Sequence, residues 1–183
     1  MVETKSCRDK GFMGEKAGVV EATRVSVVVD NPQLDYALLR VYTNDSSVNL
    51  TQHYGYLKLR SAGPLDGEAI YIPQHPHGEP KEIAAMKDGK FAVIEVQNVF
   101  ESSGFLRRDN EPTGWYNADT KPGSSGSPVL SRRDNSVVAL HRAGNAETAQ
   151  SASTELFNTG VRIDLIARDL QRRRVLPQSA LAS

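Results

Sequence analysis

Residues 123–129 read Gly-Ser-Ser-Gly-Ser-Pro-Val and are the part of this chain best suited to covalent chemistry. Glycine adopts backbone conformations that are closed to other residues, and it lets a substrate approach the main chain closely. The backbone N–H groups of such a turn can converge on one point, which is the arrangement that stabilises an oxyanion. Ser125 is therefore a candidate nucleophile, although clusters of Gly, Ser and Pro more often mark a plain loop.

A serine hydroxyl is weakly nucleophilic at neutral pH, so it needs a base to take its proton and a second group to orient that base. Asp35 is the best candidate for the orienting group, because it stands at the start of the apolar segment 36–39. A purely structural alternative is that Asp35 ends the turn that begins at Asn31 and Pro32. The chain has four histidines, all after Asp35: His53, His75, His77 and His141.

The composition argues against several classes of function. Among 183 residues, 22 lysines and arginines balance 22 aspartates and glutamates, so the net charge gives no reason to expect nucleic acid or an anionic membrane as a partner. No apolar run approaches the roughly 20 residues of a membrane span, and the first residues lack the apolar core of a signal peptide. The single cysteine, Cys7, forms neither an internal disulfide nor a metal site by itself. We therefore expect no cofactor and no metal, and the localisation stays open.

Most of the chain reads as short strands separated by turns, which is typical of an all-β sandwich or barrel. The strands are expected at residues 24–29, 36–42, 54–59, 69–72, 81–86, 91–96, 114–116, 129–130 and 137–141. The C-terminal part differs, because Ile163, Ile166 and Leu170 share one face of a helix that Asp164 can cap. We expect the chain ends, residues 1–16 and 176–183, to be frayed.

Four segments carry a resemblance to a known family. They are Asp-Tyr-Ala-Leu-Leu-Arg-Val at 35–41, Ile-Pro-Gln-His-Pro-His-Gly-Glu-Pro-Lys at 72–81, Tyr-Asn-Ala-Asp-Thr-Lys-Pro at 116–122 and Val-Ala-Leu-His-Arg-Ala-Gly at 138–144. In this order, and with the serine loop between the last two, they resemble the trypsin-like serine peptidases. The disulfide-free branch that includes the glutamyl endopeptidases is the most similar, over about residues 20–171.

The resemblance implies an all-β fold of two antiparallel barrels, with the active site in the crevice between them. Compared with this family, we expect the early strands of the first barrel to be absent from the sequence. We therefore expect residues 1–62 to be a remnant of an incomplete first barrel. Residues 63–175 would form the second barrel and a C-terminal helix, and residues 176–183 a tail.

The resemblance also implies a serine endopeptidase that acts on a peptide or protein substrate. In it, Ser125 is the nucleophile, Asp35 orients the catalytic histidine, and the backbone N–H groups of Gly123 and Ser125 form the oxyanion hole. The histidine of this family precedes the aspartate along the chain, whereas no histidine precedes Asp35 here.

Two explanations of the missing histidine remain open. The sequence is either a truncated product or gene model that begins after the histidine, or a catalytically dead module that binds peptides or protein partners. In both cases we expect this chain alone to be nearly inert as a peptidase, because loss of the base costs on the order of a millionfold in turnover.

The residues that correspond to the substrate pocket give conflicting indications. Asp119 stands where trypsin has the acidic floor that selects Lys or Arg, whereas Thr120 and His141 resemble the residues with which glutamyl endopeptidases receive an acidic side chain. A structural alternative places Asp119 beside Tyr116 with no role in binding. Ser124 stands where the digestive branch has an aspartate that pairs with a newly cut N-terminus, and serine cannot form that ion pair. The cleavage specificity is left open.

Overall fold

The computed structural model describes residues 20–95, 113–144 and 158–182, which are mostly β-strand as expected. No helix in these three segments is long and apolar enough to cross a membrane. The strands and helices are β1 (Ala22–Asn31), β2 (Tyr36–Thr43), α1 (Leu50–Tyr54), β3 (Glu68–Gln74), β4 (Glu82–Ala84), β5 (Met86–Lys87), β6 (Lys90–Phe91), β7 (Val93–Glu95), β8 (Thr113–Tyr116), β9 (Pro128–Ser131), β10 (Val137–Gly144), β11 (Asn158–Arg162) and α2 (Ile163–Arg172).

The largest sheet has seven strands in the order β4-β3-β7-β8-β11-β10-β9. Strand β9 also pairs with β3, so six of these strands follow one another in a ring of antiparallel pairs. Alternate residues of each strand point into the ring because side chains of a strand alternate between its two faces. The fully buried centre includes Ile70, Ile72, Ile94, Val129 and Val138.

Strands β1 and β2 form a separate two-stranded ribbon, with Val25 opposite Val41 and Val27 opposite Leu39. The turn between the two strands carries Asp35. Tyr36, the first residue of β2, is buried in a second apolar cluster together with residues of β9, β10, β11 and α2. The ribbon therefore packs on the outside of the ring of strands, next to the C-terminal helix.

The C-terminal helix α2 is confirmed, but its predicted cap is wrong. The helix begins at Ile163 with Arg162 at the N-cap, so Asp164 lies inside the first turn. Its fully buried carboxylate pairs with Arg162 at 3.2 Å and with Arg168 at 2.7 Å. A negative charge is favoured in the first turn by the helix dipole, and the two arginines make its burial tolerable.

Asp169 on α2 fixes the ribbon to the helix. Its carboxylate is 3% exposed and accepts hydrogen bonds from the Tyr36 hydroxyl at 2.6 Å and from the Asn31 side-chain amide at 3.0 Å. Arg172 and Arg173 donate to the same carboxylate from the helix itself. The hydrogen bond from Tyr36 is the largest cause that holds the pKa of Asp169 below its usual range, and burial raises the pKa of Tyr36 to about 12.

Two expectations about local structure are wrong. The strand expected at residues 54–59 is absent: Asn49 caps helix α1 through a hydrogen bond from the Gln52 N–H, and only Leu59 makes β-bridges. The C-terminal end is not frayed as far as it is described, because the Ala182 N–H donates to the Leu59 carbonyl and the Leu59 N–H donates to that of Ala180. The boundaries expected at residues 62 and 175 stay predictions.

We expect Tyr36→Phe to lower the free energy of unfolding by about 1–3 kcal/mol, because it removes a hydrogen bond to a buried carboxylate. A raised pKa means that this contribution is complete below about pH 10, the pKa of tyrosine in an unfolded chain, and is lost as the pH rises through about 12. Urea unfolding of the wild type and the variant at several pH values measures the difference.

The control is Tyr56→Phe, because the Tyr56 side chain is 58% exposed. This variant should change stability by no more than about 0.5 kcal/mol. A difference between wild type and Tyr36→Phe that stays constant from pH 8 to pH 12 would contradict the hydrogen bond to Asp169.

Candidate active site

The serine loop lies between β8 and β9 and has two glycines in the left-handed region, Gly123 with φ +92° and Gly126 with φ +86°. At Gly123 a side chain would also be crowded, because a Cβ atom would lie 3.1 Å from the backbone nitrogen of His77. The His77 N–H donates to the carbonyl of Pro122 at 2.8 Å. The turn at residues 75–78 therefore contacts the serine loop, and both the left-handed backbone and this close approach favour glycine at position 123.

Backbone hydrogen bonds fix the loop to strand β10. The Gly126 N–H donates to the His141 carbonyl at 2.8 Å, and the His141 N–H donates to the Ser127 carbonyl at 2.9 Å. The Ser124 side chain is 0% exposed, whereas Ser125 faces solvent. The loop thus presents one hydroxyl outward, as the sequence predicted.

Two backbone N–H groups of this loop have no acceptor within the described residues, namely those of Gly123 and Ser125. A donor without a protein acceptor at the surface of a rigid turn is available to a ligand oxygen. Two such donors on one turn are what an oxyanion requires. The geometry is therefore compatible with the oxyanion hole predicted at these residues.

Arg142 joins Ser125 to Asp35. The Ser125 hydroxyl donates to the main-chain carbonyl of Arg142 at 2.9 Å, and the Nε atom of Arg142 lies 3.1 Å from Oδ2 of Asp35. Asp35 adopts φ +49°, a left-handed conformation that Asp and Asn tolerate better than most residues. The structure thus brings Ser125 and Asp35 to the same region, with an arginine between them.

The Asp35 turn is held from within by Asn31. The side-chain oxygen of Asn31 accepts hydrogen bonds from the N–H groups of Gln33 at 3.1 Å and of Leu34 at 3.2 Å. Its side-chain nitrogen donates to the buried carboxylate of Asp169. One asparagine therefore shapes the turn and fixes it to helix α2, and Asp35 follows directly after these residues.

None of the four histidines hydrogen-bonds to Ser125 or Asp35 in the part of the chain that is described. Nδ1 of His75 lies 3.0 Å from the Glu79 carbonyl, in the predicted turn. His53 lies on helix α1 beside Tyr54. His141 is buried and contacts Tyr116.

His141 belongs to a buried hydrogen-bonded chain. The Tyr116 hydroxyl lies 2.5 Å from Nδ1 of His141 and 3.1 Å from the carbonyl of Thr159. Burial lowers the pKa of His141 and raises that of Tyr116, so both are neutral at pH 7. The hydroxyl has one proton, and when that proton points to Thr159, Nδ1 of His141 must carry its own proton and donate to Tyr116.

Thr120 is held by a residue that the sequence did not single out. Its hydroxyl donates to the side-chain oxygen of Asn158 at 2.5 Å, and the Asn158 amide nitrogen donates to the carbonyl of Ala118. Asn158 begins strand β11, opposite Gly144 of β10. Of the polar groups predicted for the pocket, Thr120 is thus positioned by Asn158 of β11 and His141 by Tyr116 of β8.

The Asp119 carboxylate is directed elsewhere. It is 72% exposed and lies 3.3 Å from Nζ of Lys87, so it is a solvated surface charge. The main-chain carbonyl of Asp119 accepts a hydrogen bond from the buried side chain of Gln74 at 3.2 Å. That bond supports the segment that leads into the serine loop.

Comparison with known proteins now identifies the family. Residues 4–140 match the family model described as a trypsin-like peptidase domain. The chain belongs to this family. Strand composition, sheet pairing and this match together confirm the all-β trypsin-like fold. Among the described residues, no group of three or more His, Cys, Asp or Glu could hold a metal ion.

Two curated relatives extend well beyond the matched region. The secreted RxLR effector protein 73 of Plasmopara viticola is 36% identical over 163 residues, which cover 89% of this chain and 35% of that protein. The uncharacterized protein y4fB of Sinorhizobium fredii (strain NBRC 101917 / NGR234) is 27% identical over 172 residues, covering 79% of this chain and 24% of that protein. The chain therefore spans about a third or less of the length of either relative.

Solved structures agree on the fold. The inactive form of the Rv3671c protease has a TM-score of 0.52 at 19% identity and covers 88% of this chain and 69% of its own. A second inactive structure of Rv3671c, a serine-to-alanine mutant from M. tuberculosis H37Rv, has a TM-score of 0.53 at 17% identity and covers 84% and 66%. At these identities the likeness shows the fold alone.

We expect His141 to be neutral at pH 7, with its proton on Nδ1, because burial lowers its pKa and this tautomer alone lets Tyr116 hydrogen-bond to both His141 and Thr159. Long-range ¹H–¹⁵N NMR spectra distinguish the two tautomers. Tyr116→Phe removes the acceptor of the Nδ1 proton, so this variant should show a mixture of tautomers. The spectra of the other three histidines serve as the internal control. A proton on Nε2 in the wild type would contradict this arrangement.

Proposed function

We propose that this domain is a serine endopeptidase domain in which Ser125 is the nucleophile. The observation that carries the proposal is the rigid turn that presents the Ser125 hydroxyl beside two backbone N–H groups without a described acceptor. The substrate is a peptide or a protein. No cofactor is required for this chemistry, because the serine supplies the nucleophile and the turn supplies the electrostatic stabilisation.

The reaction has two steps. Oγ of Ser125 attacks the carbonyl carbon of the peptide bond, its proton passes to a base, and the oxyanion accepts hydrogen bonds from Gly123 and Ser125. The leaving amine takes the proton, and water then hydrolyses the acyl-enzyme by the reverse route. The loss of one such backbone donor typically costs about 3 kcal/mol of transition-state stabilisation.

The base limits the rate of this chain. The Ser125 hydroxyl donates to the carbonyl of Arg142, and an amide carbonyl does not take up a proton at neutral pH. No described imidazole hydrogen-bonds to Ser125. We therefore expect turnover about a millionfold below that of a complete triad, with a residual acceleration of about 10³–10⁴ over water from the oxyanion donors and binding.

The polar groups near the serine loop favour an acidic substrate side chain over a basic one. Thr120 and His141 lie in buried or half-buried surroundings, whereas the carboxylate of Asp119 is exposed and paired with Lys87. His141 is neutral in the free protein, so the binding of a carboxylate beside it must be coupled to protonation of the imidazole. Binding of an acidic side chain should therefore be tighter below pH 6.5 than at pH 8.

A second candidate function is a peptide-binding module of the same fold. The ion pair between Arg142 and Asp35 favours it, because the carboxylate proposed to orient a base is already engaged by a cation. The same crevice would then hold a peptide or a protein partner without cleaving it.

A fluorophosphonate probe tests the nucleophile directly. After prolonged incubation of the purified chain at pH 8, we expect mass spectrometry to find the adduct on Ser125, formed faster than on exposed serines elsewhere, because the oxyanion donors also stabilise the charge that develops on the phosphoryl oxygen. Ser125→Ala should remove this adduct. Ser127→Ala is the matched control, because it deletes a hydroxyl from the same loop and should leave labelling of Ser125 intact.

Of two other outcomes, the first would contradict the role of Ser125 and the second only the expected lack of a base. Labelling that is no faster at Ser125 than at other serines, together with specific binding of an acidic peptide, would favour the binding module. Rapid peptide turnover that Ser125→Ala abolishes would contradict the expected lack of a base.

A further inference from the structure

We propose that Arg142 is a positioning residue that withholds both Ser125 and Asp35 from an incoming base. Its guanidinium forms an ion pair with the Asp35 carboxylate, to which an imidazole would otherwise donate. Its carbonyl accepts the hydrogen bond of the Ser125 hydroxyl, whose proton an imidazole would otherwise take up. An imidazole can act on Ser125 only after the guanidinium has left Asp35. This inference rests on the proposed role of Ser125 as the nucleophile.

The two contacts come from opposite ends of one residue. The carbonyl of Arg142 accepts the Ser125 hydroxyl at 2.9 Å, while Nε of its side chain lies 3.1 Å from Oδ2 of Asp35. The carbonyl belongs to strand β10, at the irregularity of its pairing with β11 between His141 and Ala143. The side chain extends from the sheet to the ribbon, so Arg142 spans the gap between the two parts that carry Ser125 and Asp35.

Arginine cannot replace the base that it excludes. A guanidinium stays protonated at any pH at which a protein is folded, so it has no lone pair with which to accept the Ser125 proton. It instead compensates the negative charge of Asp35, so an imidazole gains less from donating a hydrogen bond to that carboxylate. The site is thereby held in an arrangement in which Ser125 has a hydrogen-bond acceptor but no base.

The exposure of the pair makes the contact easy to break. The Arg142 side chain is 47% exposed and that of Asp35 is 57% exposed. Exposed ion pairs of this kind shift an equilibrium by at most about fivefold, which corresponds to about 1 kcal/mol. An imidazole from solution, or one on a histidine-containing peptide, can therefore compete with Arg142 for Asp35.

Chemical rescue by free imidazole provides the test. In the reaction with a fluorophosphonate probe, imidazole takes the Ser125 proton, Oγ bonds to phosphorus, and fluoride leaves with the electron pair of the P–F bond. The imidazolium formed donates its other N–H to Asp35. The measured quantity is the rate at which imidazole increases labelling of Ser125, compared between variants.

We expect Arg142→Ser to increase the imidazole-dependent rate by about two- to fivefold. Arg142→Lys, which keeps a cation, should give a smaller increase. Adding Asp35→Asn to Arg142→Ser should remove the gain, and Asn tolerates the left-handed backbone at position 35 as Asp does. Arg133→Ser is the matched control, because it removes an exposed arginine from the turn between β9 and β10 and should leave the rate unchanged.

The outcomes separate the two proposals. Equal imidazole-dependent rates for wild type and Arg142→Ser would overturn the role of Arg142 and leave Ser125 as the nucleophile. A gain that persists in the double variant with Asp35→Asn would also overturn it. No labelling of Ser125 in any variant, with or without imidazole, would overturn the proposed function and this inference with it.

An NMR measurement tests the ion pair without depending on the labelling reaction. The ¹H–¹⁵N signal of the Arg142 side-chain Nε–H should shift in Asp35→Asn, because Nε is the atom that faces Oδ2 of Asp35. The signal of Arg133 should not move. An unchanged Arg142 signal would show that the ion pair is absent in solution and would overturn the inference.

Discussion

Asp169 carries a buried negative charge on helix α2, and such a charge is stable only while hydrogen-bond donors surround it. Two of its donors come from outside the helix, the hydroxyl of Tyr36 and the side-chain amide of Asn31. These two residues flank the turn that carries Asp35. The need to satisfy the Asp169 carboxylate therefore determines where the ribbon lies. It thereby also sets the position of Asp35, the acidic side chain that pairs with Arg142.

The candidate site has a well-formed turn, but none of the described residues is placed to act as a base for Ser125. Gly123 and Gly126 adopt the conformations that allow the turn, and the main chain of β10 holds it in place. Beyond the turn, Arg142 stands between Ser125 and Asp35. As the proposed oxyanion hole, this turn would lower the barrier to acyl transfer by itself, whereas an arginine contributes no base. In the proposed reaction, the rate therefore depends on whichever group reaches Ser125 and takes its proton.

The sequence was sufficient for features that depend on local pattern. The strands around residues 24–29, 36–42 and 137–141, the helix near Ile166 and the outward direction of Ser125 all follow from alternation, periodicity and turn chemistry. Contacts between distant segments were not predictable in this way. In the sequence, Asp169 is only a polar residue next to Leu170. Its role can be inferred only once its partner on β2, Tyr36, is known. Arg142 follows His141 in a motif that gave it no role, because its partner lies 107 positions earlier in the chain.

Hydrogen exchange of Asp169→Asn tests most directly whether this carboxylate holds the ribbon to the rest of the fold. If it does, the amides of β1 and β2 should lose about 10- to 100-fold of their protection through local opening, while those of β10 in the ring of strands change much less. Equal loss of protection in β1, β2 and β10 would show that the carboxylate supports the whole fold, and no loss in the ribbon would show that Asp169 does not hold it. Either result would contradict the dependence of the Asp35 position on Asp169.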